Sequence, residues 1–109
     1  MSTVKVTKSN YSSEVDNAGK PVLMDFWAPW CGPCRMMTKI IDDIANENRN
    51  VKVCTVNIDE EPELADKFGV MSIPNYVLIN NGTILEIRTG TQPKESLISM
   101  INRAVSDND

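Results

Sequence analysis

The 109-residue sequence contains no histidine, only three cysteines and no run of lysine or arginine. Without histidine, a zinc site within the chain would need all three cysteines and a carboxylate, because zinc takes four ligands. Three cysteines also fit poorly with a framework of paired structural disulfides. The net charge of −4 argues against nucleic acid or an anionic membrane as the main partner.

The sequence also lacks a long apolar segment. Residues 1–15 alternate between polar and apolar types and do not contain the apolar stretch of a secretory signal. No other stretch is long enough to cross a bilayer. We therefore expect a cytoplasmic protein with no membrane partner. Because the cytoplasm is reducing, two cysteines close together there are more often catalytic or metal-binding than structural.

What the chain does contain is sufficient for one hydrophobic core. Its length fits a single domain spanning 1–109, its 41% apolar residues can fill a core, and its 24% charged residues can cover the surface. It shows no internal repeat, linker or low-complexity segment. We predict one domain and expect a monomer.

Changes in hydrophobic periodicity predict a mixed α/β fold. Strands are predicted at 4–6, 21–28, 51–58, 75–79 and 83–89. Helices are predicted at 11–17, after the 30–34 turn, at 59–68 and from Pro93. The 21–28 run is nearly all apolar, which is typical of a strand buried on both faces of a sheet. Asn81-Gly82 lies between two β-rich runs and predicts an antiparallel hairpin.

Cys31 and Cys34 lie between the buried strand and the longest predicted helix. If that helix begins at or just after Cys31, the two Cβ atoms are about 5–6 Å apart, as for any i, i+3 pair. A disulfide needs about 3.5–4.5 Å between the Cβ atoms, so a small local adjustment closes it. The spacing therefore predicts a pair that opens and closes without remodelling the fold.

The start of a helix also favours a thiolate, because its free N–H groups and dipole stabilise an anion. Cys31 is nearer the helix end, so we expect it to be the more exposed thiol and the attacking sulfur. Cys34, one turn further on, is the expected resolving thiol. Gly32 lets a substrate backbone come close, and Pro33 suits a first-turn position because it needs no N–H partner.

Asp25 interrupts the apolar strand, where a carboxylate is costly unless it is paired or protonated. It should point to the same side as Leu23 and Trp27. Our hypothesis is a buried acid with a raised pKa that takes and returns the proton of Cys34. The alternative is an acid at a strand edge that reaches solvent. Cys54 lies in a β-rich run and is expected to be an inert buried thiol.

With these residues described, the chain resembles the thioredoxin family over almost its whole length. The densest match is Asp-Phe-Trp-Ala-Pro-Trp-Cys-Gly-Pro-Cys-Arg-Met at 25–36. Further matches in the same order are Val-Asn-Ile-Asp at 56–59, Phe-Gly-Val at 68–70, Ser-Ile-Pro at 72–74, Asn-Gly at 81–82 and Gly90. The resemblance implies an α/β thioredoxin fold, with a central mixed five-stranded sheet flanked by four helices and the hairpin as its antiparallel edge.

The resemblance also implies a protein dithiol–disulfide oxidoreductase that reduces disulfides in client proteins. Cys31 would attack, Cys34 would resolve the mixed disulfide, and Asp25 would be the buried acid. Pro74 would be a cis-proline, and the Ile73 backbone would pair with extended substrate. The docking surface would comprise Trp30, Gly32, Pro33, Ile58, Ile73, Pro74 and Gly90. The implied electron donor is thioredoxin reductase, an NADPH-dependent flavoprotein, and the only redox group of the chain itself would be the Cys31–Cys34 disulfide, with no cofactor and no metal.

Four positions depart from the commonest pattern of the family. Thr55 replaces a lysine that faces the buried acid in many relatives, so the pKa of Asp25 should be higher than in those relatives. Lys39 replaces a proline that kinks the second helix, which should make that helix straighter. Thr89 and Thr91 replace apolar residues around Gly90 and should make that edge of the docking surface more polar.

Three other functions are compatible with parts of the pattern. A disulfide-forming oxidant or isomerase would use the same cysteines in the opposite direction, but Gly32-Pro33 and the absence of a signal favour reduction. A binding module would use the same surface without turnover, although binding alone would not require both thiols. A metal or iron–sulfur site shared between two chains is the third.

Overall fold

The computed structural model describes residues 3–107, which form one five-stranded sheet with helices on both faces. The strands are β1 (Val4–Lys5), β2 (Val22–Trp27), β3 (Lys52–Asn57), β4 (Asn75–Asn80) and β5 (Thr83–Thr89). The helices are a π-helical segment (Ser12–Asp16), α1 (Gly32–Glu47), α2 (Pro62–Lys67) and α3 (Lys94–Asp107). The predicted fold of five strands and four helices is confirmed for this part of the chain.

The strand order in the sheet is β1-β3-β2-β4-β5, so β2 lies at the centre. Strands β1, β3 and β2 are parallel, whereas β4 is antiparallel to both β2 and β5. The β4–β5 hairpin therefore forms the antiparallel edge of the sheet, as predicted. Every residue of β2 except Trp27 is buried, which explains why its sequence is almost entirely apolar.

Two separate hydrophobic clusters cover the two faces of the sheet. One joins the sheet to α1 and α3, and its buried members are Leu23, Met37, Ile41, Ile44, Val51, Val53, Tyr76, Leu78, Leu97, Met100, Ile101 and Ala104. The other lies on the side of the π-helical segment and α2 and includes Met24 and Phe26. Because side chains alternate along a strand, Asp25 points to the α1 side with Leu23, as predicted.

Most element ends lie within one residue of the prediction, but one helix differs by three residues at its start and another differs in type. Helix α2 begins at Pro62 and not at 59, because Asn57 engages the intervening backbone. The Asn57 side-chain oxygen accepts the Asp59 N–H at 2.9 Å, and the Asn57 carbonyl accepts the Glu61 N–H at 2.9 Å. The first predicted helix is a π-helical segment, closed by a bond from the Asn17 N–H to the Ser12 carbonyl at 3.1 Å. Among the helices of residues 3–107, none combines the length and the apolar character that a membrane span requires.

The hairpin turn has positive φ angles at both central residues, 53° at Asn81 and 79° at Gly82. This is the backbone of a type I′ turn, whose twist matches that of the flanking strands. A Cβ added at Gly82 would have no heavy atom within 4 Å, so the position demands glycine for its backbone conformation and not for space.

We expect Gly82→Ala to lower the free energy of unfolding by about 1–2 kcal/mol, because alanine is strained at positive φ. Urea denaturation followed by tryptophan fluorescence measures this change. The matched control is Asn81→Gly, which keeps positive φ accessible and should not lower stability by a comparable amount. Equal stability of Gly82→Ala and the parent would contradict the turn assignment.

Candidate active site

Cys31 and Cys34 form a disulfide at the N-terminus of α1, with their Cα atoms 5.2 Å apart. Cys31 is the N-cap residue of this helix and has extended backbone angles, so the helix begins immediately after it, as predicted. The Cys31 sulfur accepts the backbone N–H of Cys34 at 3.1 Å. A sulfur atom thus takes the capping role that a side-chain oxygen usually has, and the helix N-terminus stabilises negative charge on it.

The residues around the disulfide explain why the chain turns here. The Cys31 N–H donates to the Ala28 carbonyl at 3.1 Å, which closes a turn between the end of β2 and the start of α1. Gly32 and Pro33 are the first two helical residues. Neither position has an N–H partner inside the helix, so proline loses no hydrogen bond there. The predicted placement of Pro33 in the first turn is confirmed.

The prediction that Cys31 is the more exposed thiol is wrong for this disulfide form. Cys31 is 4% exposed and Cys34 is 6% exposed. Both sulfurs are covered because Ile58 and Ile73, from distant parts of the chain, pack against the two cysteines. What distinguishes the two sulfurs is the capping hydrogen bond to Cys31, and not access to solvent.

Asp25 lies in the middle of the central strand and is only 9% exposed. The alternative of an acid at a strand edge is therefore wrong. Its neighbours in register are Thr55 on β3 and Tyr76 on β4. Burial, and secondly the negative charge of Asp42, raise the pKa of Asp25 from 3.8 to about 7. An acid with such a pKa exchanges its proton readily near neutral pH.

A cavity of about 300 Å³ connects Asp25 with Cys34 underneath α1. Its other lining residues are Thr3, Trp27, Arg35, Thr38, Ile41, Asp42 and Thr55. Sequence reasoning did not identify Thr38 and Asp42 as part of this site. They follow Cys34 by four and eight residues, so the helical repeat places all three on one side of α1. That spacing is the pattern that could have revealed them.

A second cavity of about 300 Å³ is an apolar groove beside the cysteines, which we call the docking groove. It is lined by Trp30, Ile58, Val70, Met71, Ser72 and Ile73. Trp30, Ile58 and Ile73 were predicted for the docking surface, whereas Val70 and Met71 were not. Trp30 is 65% exposed, and its indole N–H donates to Asp59 at 3.0 Å, which fixes the ring at the edge of the groove.

The remaining predicted docking residues, Gly32, Pro33, Pro74 and Gly90, do not line this groove. The Ile73–Pro74 peptide bond is cis, as predicted. The Pro74 carbonyl accepts the N–H of Gly90 at 2.8 Å, so Gly90 lies next to the cis bond. Gly32 and Pro33 lie on the turn that carries the disulfide. Among the hydrogen bonds formed within residues 3–107, none engages the backbone N–H or carbonyl of Ile73, which leaves both groups available to an extended chain.

Cys54 is a free thiol with no exposed surface, and burial raises its pKa to about 11. The predicted burial of Cys54 is confirmed, and its inertness, which burial and a raised pKa favour, stays a prediction. Within residues 3–107, no three histidine, cysteine, aspartate or glutamate side chains stand close enough together to hold a metal ion.

Comparison with known proteins agrees with this geometry. The thioredoxin family model matches residues 2–103. A thioredoxin of Rickettsia felis is 46% identical over 101 residues, which cover 92% of this chain and 96% of that protein. A thioredoxin of Pyropia yezoensis is 41% identical over 107 residues, which cover 97% of this chain and all of that protein. Among solved structures, a mutant thioredoxin from Halobacterium salinarum NRC-1 superposes with a TM-score of 0.87 at 29% identity, covering 94% of this chain and 90% of that one.

The raised pKa of Asp25 makes stability depend on pH. Below about pH 4 the carboxyl is protonated in both the folded and the unfolded state and carries no penalty. As the pH rises towards about 7, the unfolded state loses this proton first, so the folded state becomes progressively less stable. Asp25→Asn removes the titration, so its gain in stability over the parent should be about 3–4 kcal/mol larger at pH 8 than at pH 4.

Urea denaturation of the oxidised protein across this pH range measures the difference. Asp66→Asn is the matched control, because Asp66 is an exposed carboxylate and its removal should produce no comparable pH-dependent gain. A gain for Asp25→Asn that does not change with pH would contradict the raised pKa.

Proposed function

Because the chain belongs to the thioredoxin family and is a protein dithiol–disulfide oxidoreductase, we propose that Cys31 is its nucleophile and Cys34 its resolving thiol. The observation that carries this assignment is the hydrogen bond from the Cys34 N–H to the Cys31 sulfur at the helix N-terminus. It stabilises the thiolate of Cys31 in the reduced protein, and the thiolate is the reactive form of a cysteine.

The reaction proceeds through two thiol–disulfide exchanges. The Cys31 thiolate attacks one sulfur of a client disulfide, a bond forms between Cys31 and that sulfur, and the other client sulfur leaves as a thiolate. Cys34 then loses its proton and attacks the Cys31 sulfur. The first client sulfur leaves as a thiolate, the client has gained two electrons, and the protein is left as the Cys31–Cys34 disulfide.

Asp25 is the group that takes the proton of Cys34 in the second exchange. The cavity beneath α1 is lined by both residues, so the proton has a path between them, directly or through a water molecule. A pKa of about 7 supports this role, because Asp25 can then accept the proton and later return it at neutral pH. Thr55, its neighbour on β3, has no charge with which to hold Asp25 in the ionised form.

Client proteins dock along the groove as extended chains. The Ile73 backbone supplies strand-like hydrogen bonds, and Trp30, Ile58 and Met71 supply apolar contact for the residues next to the client cysteine. Backbone pairing is insensitive to side-chain identity, so this mode suits many clients. Pro74 follows Ile73 directly, and its carbonyl is held by the Gly90 N–H, so both residues lie close to the backbone that pairs with the client.

Each turnover leaves the protein oxidised, so its disulfide must regain two electrons from another enzyme, together with two protons from solvent, to return to two thiols. We propose thioredoxin reductase, an NADPH-dependent flavoprotein, as that donor, which makes the chain an electron carrier with no cofactor besides its own disulfide. A reductant of this type works in a reducing compartment, and we propose the cytoplasm. The unit that does so is one domain, residues 1–109.

We expect Cys34→Ser to accumulate a mixed disulfide between Cys31 and a client, because the first exchange proceeds and the second does not. Cys31→Ser should form no such adduct with the same client. Incubating each reduced variant with insulin and measuring adduct mass under non-reducing conditions checks this. Cys54→Ala is the control and should retain full reductase activity, because Cys54 is buried away from the reaction.

The reduction potential of the Cys31–Cys34 couple, measured in glutathione buffers, tests the direction of electron flow. A potential well below that of glutathione supports the proposed reductase. A value near or above it would identify an oxidant or isomerase. In the insulin experiment described above, adducts on Cys34 in preference to Cys31 would reverse the assignment of the two thiols.

Met71 tests the docking groove, because it lines the groove and is 95% exposed, so its replacement should not disturb folding. Met71→Glu should weaken client contact by about 1 kcal/mol. The second-order rate constant for insulin reduction should fall roughly five-fold, with an unchanged reduction potential.

Ile84→Glu adds the same charge at the opposite end of the sheet, beside the β4–β5 turn, and is the control. It should leave that rate constant unchanged. Equal losses in the two variants would show that the effect comes from overall charge and not from the groove.

A further inference from the structure

We propose that Asp42, on α1, is a positioning residue for the reaction. Its negative charge favours the protonated form of Asp25. This inference rests on the proposed role of Asp25 as the acid that serves Cys34. It concerns a residue that lies outside the docking groove and belongs to no sequence motif identified above. Asp42 acts through the cavity beneath α1, whose wall includes both carboxyl groups.

The geometry of α1 places Asp42 against the buried acid. Cys34, Thr38 and Asp42 recur every four residues and line the cavity together. Asp25 stands on the sheet side of the same cavity and is nine-tenths buried. Asp42 is half-buried and Thr38 is exposed, so this side of the cavity reaches solvent. Asp42 and Thr38 are therefore more exposed members of the cavity wall than Asp25, which is buried.

The neighbouring acid on the helix has a different environment. Asp43 accepts an ion pair from Lys39 at 3.3 Å on the outer side of α1 and does not line the cavity. Asp42 has no lysine or arginine within ion-pair distance among residues 3–107. The two adjacent aspartates of α1 therefore differ in two respects: Asp42 lines the cavity with Asp25 and has no ion-pair partner among residues 3–107, whereas Asp43 lies outside the cavity and is paired with Lys39.

The other groups facing Asp25 do not cancel that charge. From α1, Arg35 also lines the cavity and keeps its positive charge, while its guanidinium donates to the Pro29 carbonyl at 2.9 Å. The charge that shifts the pKa of Asp25 is that of Asp42 and not that of Arg35. From β1, Lys5 lies in register with Thr55, one strand further away, and its ammonium group pairs with Glu60 at 3.0 Å.

The sheet neighbours of Asp25 are uncharged at neutral pH. Thr55 on β3 carries no charge at any pH. Tyr76 on β4 is fully buried, and burial, together with the nearby Asp25, raises its pKa, so its hydroxyl stays neutral. Cys34, the remaining group, is the thiol that Asp25 serves. Among residues 3–107, Asp42 is thus the one acidic side chain besides Asp25, and Arg35 the one basic side chain, that line the cavity.

This arrangement has a direct consequence for the second exchange. A negative charge near a carboxyl disfavours its ionised form and so strengthens it as a base. Asp42 makes Asp25 a better acceptor for the Cys34 proton. It also raises the pH at which Asp25 loses its own proton and becomes available as a base. Burial of Asp25 is the larger cause of its raised pKa and Asp42 the smaller one.

The test compares Asp42→Asn with Asp43→Asn in the full-length reduced protein. The pKa of Asp25 is read from its side-chain carboxyl carbon in an NMR titration. The rate at which Cys34 resolves a preformed Cys31 mixed disulfide is measured over the same pH range. Asp42→Asn should lower the pKa of Asp25 by at least about 0.5 and move the midpoint of the rate profile to lower pH by the same amount.

Asp43→Asn should move neither quantity, because its charge is outside the cavity and paired with Lys39. Asp42→Glu keeps the charge and should restore the pKa of Asp25, which separates the effect of charge from any disturbance of packing. An unchanged pKa in Asp42→Asn, or an equal fall in Asp43→Asn, would overturn the proposal.

The two proposals can fail separately. If Asp42→Asn lowers the pKa of Asp25 while the rate profile stays in place, the control of Asp25 by Asp42 is supported and the role of Asp25 in resolving the mixed disulfide is overturned. In that case, Asp25→Asn should give the same pH profile of the resolution rate as the parent protein. If the pKa and the profile move together, both proposals are supported.

Discussion

The burial of β2 in the centre of the sheet is the constraint from which the active site follows. Both faces of this strand are covered, and strands flank it on both sides, so its backbone and side chains have a single position. The strand ends at Trp27, and the next turn places Cys31 at the first turn of α1. A mobile strand at this position could not hold two sulfurs, a helix N-terminus and a buried carboxyl in one fixed arrangement.

That arrangement places two opposite electrostatic environments within a few residues of each other. The helix N-terminus stabilises an anion on Cys31, through the capping hydrogen bond from the Cys34 N–H. The interior of the sheet destabilises an anion on Asp25, which therefore keeps its proton near neutral pH. In the proposed mechanism, the first environment prepares Cys31 to attack, and the second keeps Asp25 available as the base for Cys34 across the cavity that both residues line. A division of roles between Cys31 and Cys34 requires this difference, since their exposure is nearly the same.

Features that depend on local sequence were predictable, and features that depend on distant segments were less so. The apolar run of β2, the Asn81-Gly82 turn and the start of α1 after Cys31 each have a local physical cause, and each was predicted. The burial of Cys31 was not, because Ile58 and Ile73 cover it from segments that sequence spacing does not bring together. The late start of α2 was missed for a related reason, since the side chain of Asn57 competes for backbone N–H groups that a helix would otherwise leave free. Asp42 was overlooked because a polar residue in the middle of an amphipathic helix usually faces solvent.

The departure from the family pattern at Thr55 affects the charges that surround Asp25 on its two sides, the sheet and α1. On the sheet side, Thr55 and Tyr76 contribute no charge at neutral pH, so nothing in the sheet favours the ionised carboxyl. On the helix side, the cavity exposes Asp25 to the charge of Asp42 and to water. Electrostatic control of the buried acid in this chain therefore comes from α1, the same helix that carries Cys34. In the proposed mechanism, any movement of α1 away from the sheet would change the position of Cys34 and the basicity of Asp25 together, because α1 carries both Cys34 and Asp42.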